Sequence, residues 1–371
     1  MRLIAGFGDF LPLLVAAFGI AAILSLVLTP IARRAALHLG LVDQPDHRRV
    51  NQAPVPRGGG LAVAVSFLVV AAGIIVLGPR FGLPVGSRFA EPDSREVFGL
   101  LAGAAIAALI GGLDDAFQLR ARWQLLGQLA VAGFALLAGI SVTLVNNPFG
   151  PGNIVLDGPF AAGFTVVWIV GMINSINFID GLDGLSTGIA LIAAVTLGLI
   201  SMTTVINQPD IAVLCLVLAG ALLGFLRWNF HPASVFIGTS GVMFVSYTLA
   251  VLAILGSAKV AVALLVLGVP IIDTFWQIVR RLATGRSPFT PDRGHIHHRL
   301  LDLGLSHART VLLIYAICIV LAALSFVLSG AGQVYAFLGL VIGFGLALFL
   351  FTRGESRDAL EADTYDEPGP D

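Results

Sequence analysis

Long apolar runs alternate with short polar segments along almost the whole chain. Each run is close to the length that a helix needs to cross the hydrocarbon core of a bilayer, about 20 residues. The pattern predicts an all-α polytopic membrane protein with about eleven transmembrane helices. A count of ten with one re-entrant segment is the alternative, since two runs are short. The eleven runs lie at roughly 10–30, 58–78, 97–113, 124–145, 160–177, 186–206, 211–226, 240–256, 259–279, 309–329 and 332–352.

Composition supports a membrane protein and argues against other classes. The mean hydropathy is +0.94 over 371 residues, far above the range of soluble proteins. The net charge is −1 without a basic stripe, which argues against a nucleic-acid partner. Cys215 and Cys318 fall inside apolar runs and are interpreted as packed hydrophobic residues. Residues 1–352 form one predicted transmembrane domain, and 353–371, with seven acidic residues among nineteen, form a predicted disordered cytoplasmic tail.

Basic residues are distributed unequally between the two sets of loops. With eleven crossings, sixteen of the 21 Lys and Arg residues fall on one side. The positive-inside rule makes that side cytoplasmic, so the N-terminus is predicted outside and the C-terminus inside. The loops that carry clustered polar residues all belong to the predicted cytoplasmic side.

The first polar cluster is an aspartate pair in "GGLDDAFQLRARWQLLGQ", where the third run ends. Asp114 and Asp115 are adjacent at the predicted membrane boundary. Carboxylates in such a place are unfavourable unless they are paired, solvated or bound to a metal. The simpler alternative is an acidic helix end that is neutralised by Arg120 and Arg122.

The second cluster, "NSINFIDGLDGL", is more specific. Its two asparagines are three residues apart and share a helix face, and its glycines then end the helix and let the backbone approach a ligand. Carboxylate and carboxamide oxygens suit a hard cation such as Mg²⁺, and they also accept hydrogen bonds from a nucleobase or a sugar. The alternative is a solvated acidic loop. The polar residues of the cluster are Asn174, Asn177, Asp180 and Asp183.

Histidine and arginine are concentrated in three further segments, "RWNFHPASVFIGTSG", "SPFTPDRGHIHHRLLDLGLS" and "PDHRRVNQAPVPRGGG". Together they offer the donors and positive charge that bind phosphate, and Arg57 and Arg299 are candidates for that role. A zinc site in "HIHH" is an alternative, although no cysteine ligand lies in a loop. Basic loops facing anionic headgroups are another. Metal and phosphate sites on one membrane face are what phosphoryl transfer needs, and the apolar surroundings indicate a lipid substrate.

These motifs are similar to those of a known family. The chain resembles the polyprenyl-phosphate N-acetylhexosamine-1-phosphate transferases of glycosyltransferase family 4, and within them the branch that uses undecaprenyl phosphate and UDP-N-acetylglucosamine. The resemblance runs from about residue 37 to residue 315. It rests on "LGLVDQPDHRRVNQAPVPRGGGLA", "GGLDDAFQLRARWQLLGQ", "NSINFIDGLDGLSTG", "NFHPASVFIG", "GVPIIDTFWQIVRR" and "PDRGHIHHRLLDLGLS".

The resemblance implies a reaction and a set of site residues. It implies transfer of a sugar 1-phosphate from a UDP-sugar to undecaprenyl phosphate, with release of UMP, in the plasma membrane of a bacterium. The reaction would use Mg²⁺, with Mn²⁺ as a substitute, and would begin a cell-envelope polysaccharide; a homodimer is an open expectation. Catalytic roles fall on Asp114, Asp115, Asp183, His297 and His298, substrate binding on Asn177, Asp180, Asn229 and His295, and metal binding on Asn174, Asp115 and Thr239.

Three positions depart from the family pattern. Thr239 stands where relatives usually carry an aspartate that binds Mg²⁺, Asn51 replaces a usual histidine, and Gln124 replaces a common lysine. A hydroxyl is a poorer ligand than a carboxylate for a hard dication. A non-catalytic homologue that binds prenyl phosphate or UDP-sugar is therefore the alternative to an active transferase. A transporter is disfavoured, because its acids would lie at the midplane of interrupted helices.

Overall fold

The structure is a computed structural model that describes residues 3–4, 7–44, 54–83, 95–147, 149–150, 152–256, 260–285, 287, 294–328 and 330–346. Asn51 and the predicted tail lie outside these residues. The helices are α1 Phe7–His38, α2 Gly60–Leu77, α3 Arg95–Phe117, α4 Ala121–Leu137, α5 Gly158–Ile179, α6 Leu185–Ser201, α7 Pro209–Asn229, α8 Gly238–Leu255, α9 Val260–Val266, α10 Gly268–Ala283, α11 Ile296–Asp302, α12 His307–Val327 and α13 Ala331–Leu346.

Each of the eleven apolar runs overlaps one of these helices, or the α9–α10 pair. Within the described residues, seven helices are long and apolar enough to cross a membrane, and the bent pair raises the count to eight. The polytopic membrane fold is thus supported, whereas the eleven crossings stay a prediction. Helices of 17 residues such as α4 and α6 are about 25 Å long, which is shorter than the roughly 30 Å hydrocarbon core.

The α9–α10 pair is a broken helix with an angle of 79° between its two parts. The break falls at Leu267, followed by Gly268 and Pro270, and glycine and proline both weaken a continuous helix. Beyond it, α10 is amphipathic in an unusual sense. It buries the polar residues Asp273 and Gln277, while it exposes several large apolar side chains. That arrangement suits a helix whose outer face meets lipid and whose inner face meets a polar site.

Two small antiparallel strand pairs qualify the all-α prediction. Strand β1 (Val42–Asp43) pairs with β2 (Val55–Pro56), and β3 (Leu144–Asn146) pairs with β4 (Asn153–Val155). Strands of two or three residues are too short to show an alternating pattern in the sequence. The β1–β2 pair matters for the site, because it fixes the segment that carries Arg57.

Helices α7 and α8 form the centre of the bundle. The most apolar 18-residue stretch of α7 is 78% buried, and that of α8 is 83% buried. Helix α8 packs along α3, where the Tyr247 hydroxyl donates to the Gly99 carbonyl at 2.8 Å. Because α3 and α8 are packed along their length, the C-terminal end of α3 is held beside the N-terminal end of α8. This places Asp115 at the first turn of α8.

Candidate active site

A polar cavity of about 320 Å³ lies where the ends of several helices meet. Its wall is formed by β1, the segment after β2, the end of α3, the α5–α6 turn, the end of α7, the start of α8 and α11. The loops that the charge distribution placed on one side of the membrane therefore converge on a single cavity. Its polar lining consists of Asp43, Arg57, Asp115, Asn177, Asp180, Asp183, Asn229, Thr239 and His298.

Asp115 binds the N-terminal end of α8 with both carboxylate oxygens. The backbone N–H of Thr239 donates to Oδ1 at 2.7 Å, and that of Ser240 donates to Oδ2 at 3.0 Å. A carboxylate is stabilised there by the unpaired N–H groups and the helix dipole. Gly238 has a φ of +71°, and a Cβ at this position would lie 2.7 Å from the carboxylate, so only glycine fits. Asp115 thus reaches the cavity wall directly beside Thr239.

The α5–α6 turn brings two more carboxylates to the cavity. The Ser186 hydroxyl donates to Asp180. Asp183 accepts the Ala233 N–H at 3.1 Å and contacts Nδ1 of His231 at 2.8 Å. These contacts fix both acids from outside the turn and leave them facing the cavity.

Burial raises the pKa of Asp180 from its usual 3.8 to about 7. Desolvation is the main cause, since it disfavours the charged carboxylate, and the nearby charges of Asp115 and Asp183 raise the pKa further, whereas the Ser186 hydroxyl lowers it. Three acids with oxygen donors in one cavity suit a hard divalent cation. Such a cation would favour the charged form of Asp180 against both the desolvation and the repulsion from the neighbouring carboxylates.

We expect Asp180→Asn to be more stable than the wild type at pH 8 without divalent cations. Between about pH 4 and pH 7 the folded protein holds a proton that the unfolded chain has released, so wild-type stability falls as pH rises through this window. Asparagine removes the ionisable group and keeps an acceptor for Ser186. The gain is at most about 4 kcal/mol at pH 8 and vanishes near pH 4. Thermal unfolding of both proteins across this pH range checks it, and parallel curves would contradict it.

Asn229 and Arg57 are held in the cavity wall by contacts of their own. The Thr187 hydroxyl donates to Oδ1 of Asn229 at 2.7 Å, and the Asn229 amide donates to the Val235 carbonyl at 3.1 Å. Arg57 forms an ion pair with Asp43. Both residues lie on the side of the cavity that is formed by the β1–β2 pair. Arg57 is therefore a positioned cation in the wall that also holds the carboxylates, and its charge acts on Asp115.

A second, largely apolar groove of about 830 Å³ lies between α4, α5 and the bent α9–α10 pair. Its walls include Phe164, Trp168 and Phe275, and Asn177 lines both this groove and the polar cavity. The two spaces therefore meet at Asn177. A long apolar chain bound in the groove would bring its polar end to the carboxylates.

The histidine segment is anchored to α10. Nδ1 of His295 lies 2.7 Å from Oδ2 of Asp273, and the Ile296 N–H donates to Oδ1 at 3.0 Å. Asp273 is only 1% exposed. An ionised carboxylate only accepts, so Nδ1 of His295 is the donor to Asp273. Because it accepts the Ile296 N–H, Asp273 also caps the start of α11.

The other histidines of this segment differ in their surroundings. His297 is buried, and its ring packs against Gly181, where a Cβ would lie 2.2 Å from Nε2. Burial, followed by the neighbouring His298, holds the pKa of His297 well below its usual value. His297 is therefore neutral in the free protein and supplies no positive charge for phosphate. His298 lines the polar cavity.

Asp273 was missed by the sequence-based reasoning, although a signal was present. It is a single acid inside the apolar run "GVPIIDTFW", and an ionisable residue in such a run usually has a partner and a function. Its partner is 22 residues away in the chain, which no local pattern shows. Ser186 was missed as well, because a single serine in the first turn of α6 does not stand out, whereas His231 belongs to one of the histidine and arginine segments but received no role of its own.

We expect Asp273→Asn to reduce turnover by about 10- to 100-fold, as loss of a residue that orients a histidine does elsewhere. The amide cannot hold both the His295 N–H and the Ile296 N–H as a carboxylate does. Asp273→Glu keeps the charge and should recover part of the rate. Turnover and KM for each substrate, measured with the unfolding temperature, check this. If the turnover of both variants falls in proportion to their loss of stability, Asp273 has a structural role only.

Several predicted site residues lie outside the polar cavity. Oδ1 of Asp114 accepts the Leu119 N–H at 3.0 Å and the Gln124 amide at 2.9 Å, so it joins α3 to α4. Asn174 lines the apolar groove, where its amide donates to Gln128 at 2.7 Å. His295 also lines the groove, and the Arg299 guanidinium donates to the Gly294 carbonyl at 3.1 Å. Metal binding by Asn174 and catalysis by Asp114 stay predictions. Neither residue is part of the lining of the polar cavity that contains the other carboxylates.

The fold and the site define a class: an integral membrane protein in which a carboxylate-lined cavity meets an apolar groove. The sequence model described as Glycosyl transferase family 4 matches residues 97–257. The match includes α3 to α8 and most of the polar cavity, and together with the relatives' identities it shows that the chain belongs to this family.

Curated relatives cover most of the chain. It is 37% identical over 343 residues, 91% of this chain and 90% of the relative, to the probable undecaprenyl-phosphate N-acetylglucosaminyl 1-phosphate transferase of Bacillus subtilis (strain 168). It is 35% identical over 322 residues, 80% and 77% of the two chains, to the decaprenyl-phosphate N-acetylglucosaminephosphotransferase of Mycobacterium tuberculosis (strain ATCC 25618 / H37Rv). A relative from Yersinia pestis is 28% identical over 300 residues, 76% of each chain. The predicted family and the phosphotransferase class are confirmed.

Proposed function

We propose that this protein transfers N-acetylglucosamine 1-phosphate from UDP-N-acetylglucosamine to undecaprenyl phosphate and releases UMP. The observation that carries the proposal is the junction at Asn177 of a polar, acid-lined cavity and an apolar groove. A nucleotide-sugar diphosphate fits the first by charge and hydrogen bonding, and a prenyl chain fits the second by hydrophobicity. The names of the curated relatives support the same sugar, with undecaprenyl or decaprenyl phosphate as the lipid.

The donor set of the polar cavity fits Mg²⁺, with Mn²⁺ as a substitute. Asp115, Asp180 and Asp183 supply carboxylate oxygens in one cavity, and hard cations prefer such ligands. When bound, Mg²⁺ would neutralise the diphosphate and stabilise the charge that develops during transfer. Thr239 in the same wall offers only a hydroxyl, so the three acids would carry most of the binding.

The residues of the chain would orient the two substrates for in-line transfer. Arg57 and His298 would hold phosphate oxygens at the cavity wall, and Asn177 would position the lipid phosphate where groove and cavity meet. An oxygen of the lipid phosphate attacks the sugar-linked phosphorus of the diphosphate, and the bond to UMP breaks. No proton has to be removed from an ionised lipid phosphate, so positioning and charge provide the catalysis.

The active site is proposed to face the cytoplasm of a bacterial cell, and a homodimer remains an expectation. We expect a cysteine placed at Gln118 or Leu303 to react only with reagents supplied from the cytoplasmic side, and one at Asn153 only from the outside. All three positions are exposed, and the native Cys215 and Cys318 are buried, so background labelling is low. Labelling of Gln118→Cys from outside would overturn the orientation.

The reaction is tested with purified protein, UDP-N-acetylglucosamine and undecaprenyl phosphate, by measuring UMP release with and without Mg²⁺. Metal-dependent UMP release that requires the lipid supports the proposal. Binding of UDP-sugar without UMP release at any Mg²⁺ concentration would favour the non-catalytic alternative, which the relatives' names do not support. Other UDP-sugars tested in parallel define the donor.

A further inference from the structure

Three side chains from three separate segments meet beside the polar cavity. Asp183 comes from the α5–α6 turn, His231 from the loop after α7, and His307 from the start of α12. Their ligand atoms, one carboxylate oxygen and two imidazole nitrogens, all lie within 4.8 Å of one another. The two imidazole rings stack with centroids 4.1 Å apart. The proposed transfer reaction makes no use of either histidine.

Hydrogen bonding does not account for the position of His307. Both ring nitrogens are shielded from solvent, and apart from a weak contact with the Asp183 backbone neither has a hydrogen-bond partner among the described residues. A neutral imidazole has one N–H donor and one lone-pair acceptor. Leaving both unused where water cannot reach them is unfavourable, and an ion is one of the standard explanations for such a group.

We propose that Asp183, His231 and His307 form a binding site for a divalent transition-metal ion of the zinc class. Imidazole nitrogens favour Zn²⁺ and its neighbours, whereas Mg²⁺ prefers ligand sets made of oxygen alone. Two histidines and one carboxylate also leave a coordination position for water.

The present geometry is close to what such an ion requires. Nδ1 of His231 and Oδ2 of Asp183 are 2.8 Å apart, a hydrogen-bond distance that has to open by about 0.5 Å when both atoms bind one ion. Tetrahedral bonds of about 2.0–2.1 Å place ligand atoms about 3.3 Å apart. The widest separation, up to 4.8 Å, therefore has to close by about 1.5 Å, which rotation of the imidazole rings can supply.

The site shares Asp183 with the polar cavity, so an ion bound there would affect the cavity. It would tie the α5–α6 turn to α12 and engage a carboxylate that otherwise faces the nucleotide and Mg²⁺. Zinc is therefore expected to inhibit transfer. This inhibition rests on the proposed function, whereas zinc binding itself does not depend on what reaction the chain catalyses.

The test uses metal-free, full-length protein in detergent. Zn²⁺ binding is measured by calorimetry and by the rise in unfolding temperature, and Co²⁺ serves as a probe through its visible absorption. The wild type should bind one ion at this site and be stabilised by it. His307→Gln and His231→Gln should each lose this binding, the stabilisation and the Co²⁺ spectrum. His298→Gln is the matched control, because it removes an imidazole from the other histidine cluster, and it should keep all three.

The outcomes separate the metal site from the transfer reaction. Binding retained in both His307→Gln and His231→Gln, or lost in His298→Gln instead, would overturn the site. Absence of zinc binding in the wild type would do so as well. If His307→Gln fails to fold, His231→Gln still decides, because the His231 side chain is 41% exposed. A protein that binds zinc but releases no UMP would contradict the transfer reaction alone.

Discussion

Asp115→Asn is expected to reduce UMP release by about 100-fold or more. Asp115 is the carboxylate that is both fixed by the first turn of α8 and placed in the polar cavity. Asparagine is nearly the same size, but its side-chain NH₂ group is a donor. It would face one of the two backbone N–H groups that donate to Asp115 in the wild type. The charge that would hold Mg²⁺ and balance the helix end is lost at the same time, and effects of this size follow loss of one preorganised charge in an active site.

The matched control is Asp210→Asn. Asp210 is also a buried aspartate near a helix N-terminus, in the first turn of α7. It lies at the opposite end of α7 from Asn229, about 30 Å from the cavity. We expect this variant to keep nearly the wild-type rate. If Asp115→Asn and Asp210→Asn lose activity equally, or if Asp115→Asn turns over at the wild-type rate, then Asp115 has no direct part in transfer.

The pattern of apolar and polar residues in the sequence is largely enough to predict that the protein lies in a membrane and which residues form its site. The apolar runs are long, so each one marks a helix or the broken pair, and the loops between them sort by charge. Arg57, Asp115 and Asp183 were chosen from three distant loops, and the structure brings them into one cavity. Polar residues concentrated in an apolar chain have few places to lie except a shared site.

The division of labour between neighbouring residues could not be predicted from sequence. Asp114 and Asp115 are adjacent in α3, and adjacent side chains of a helix point about 100° apart, so one binds Gln124 and the other binds α8. Asn174 and Asn177 share a helix face, but about 4.5 Å of rise separates them. That is enough to place Asn174 in the groove alone and Asn177 at the junction.

Contacts between segments that are distant in the chain could not be predicted from the sequence either. Asp273 and His295 lie on either side of a loop, and the 79° break at Leu267 decides which face of α10 turns inward. Apolar runs show that a helix exists, but they do not show the direction it takes after a break. For the same reason the eleven predicted crossings stay a prediction beside the seven or eight candidate spans among the described helices.

Thr239→Asp is expected to lower the Mg²⁺ concentration for half-maximal transfer by about tenfold, which corresponds to about 1.4 kcal/mol in binding. Thr239 lines the polar cavity, and its backbone N–H donates to Asp115. A carboxylate at this position would add another acid beside Asp115, Asp180 and Asp183, and carboxylate number is a main determinant of affinity for hard dications. The rate at saturating Mg²⁺ should change little, because the other three acids are already in place.

Stability without metal should change in the opposite direction. An aspartate at 239 would be favoured by the first turn of α8, but it would lie beside Asp115 in a cavity that already raises the pKa of Asp180 to about 7. Repulsion should lower the unfolding temperature of Thr239→Asp in the absence of Mg²⁺ and enlarge the increase that Mg²⁺ produces. Thr239→Asn is the control, since it has the same size and an oxygen ligand without the charge. If the two variants show the same Mg²⁺ dependence as the wild type in both transfer and unfolding, residue 239 does not face the ion, and the "GTSG" turn serves only to bind Asp115.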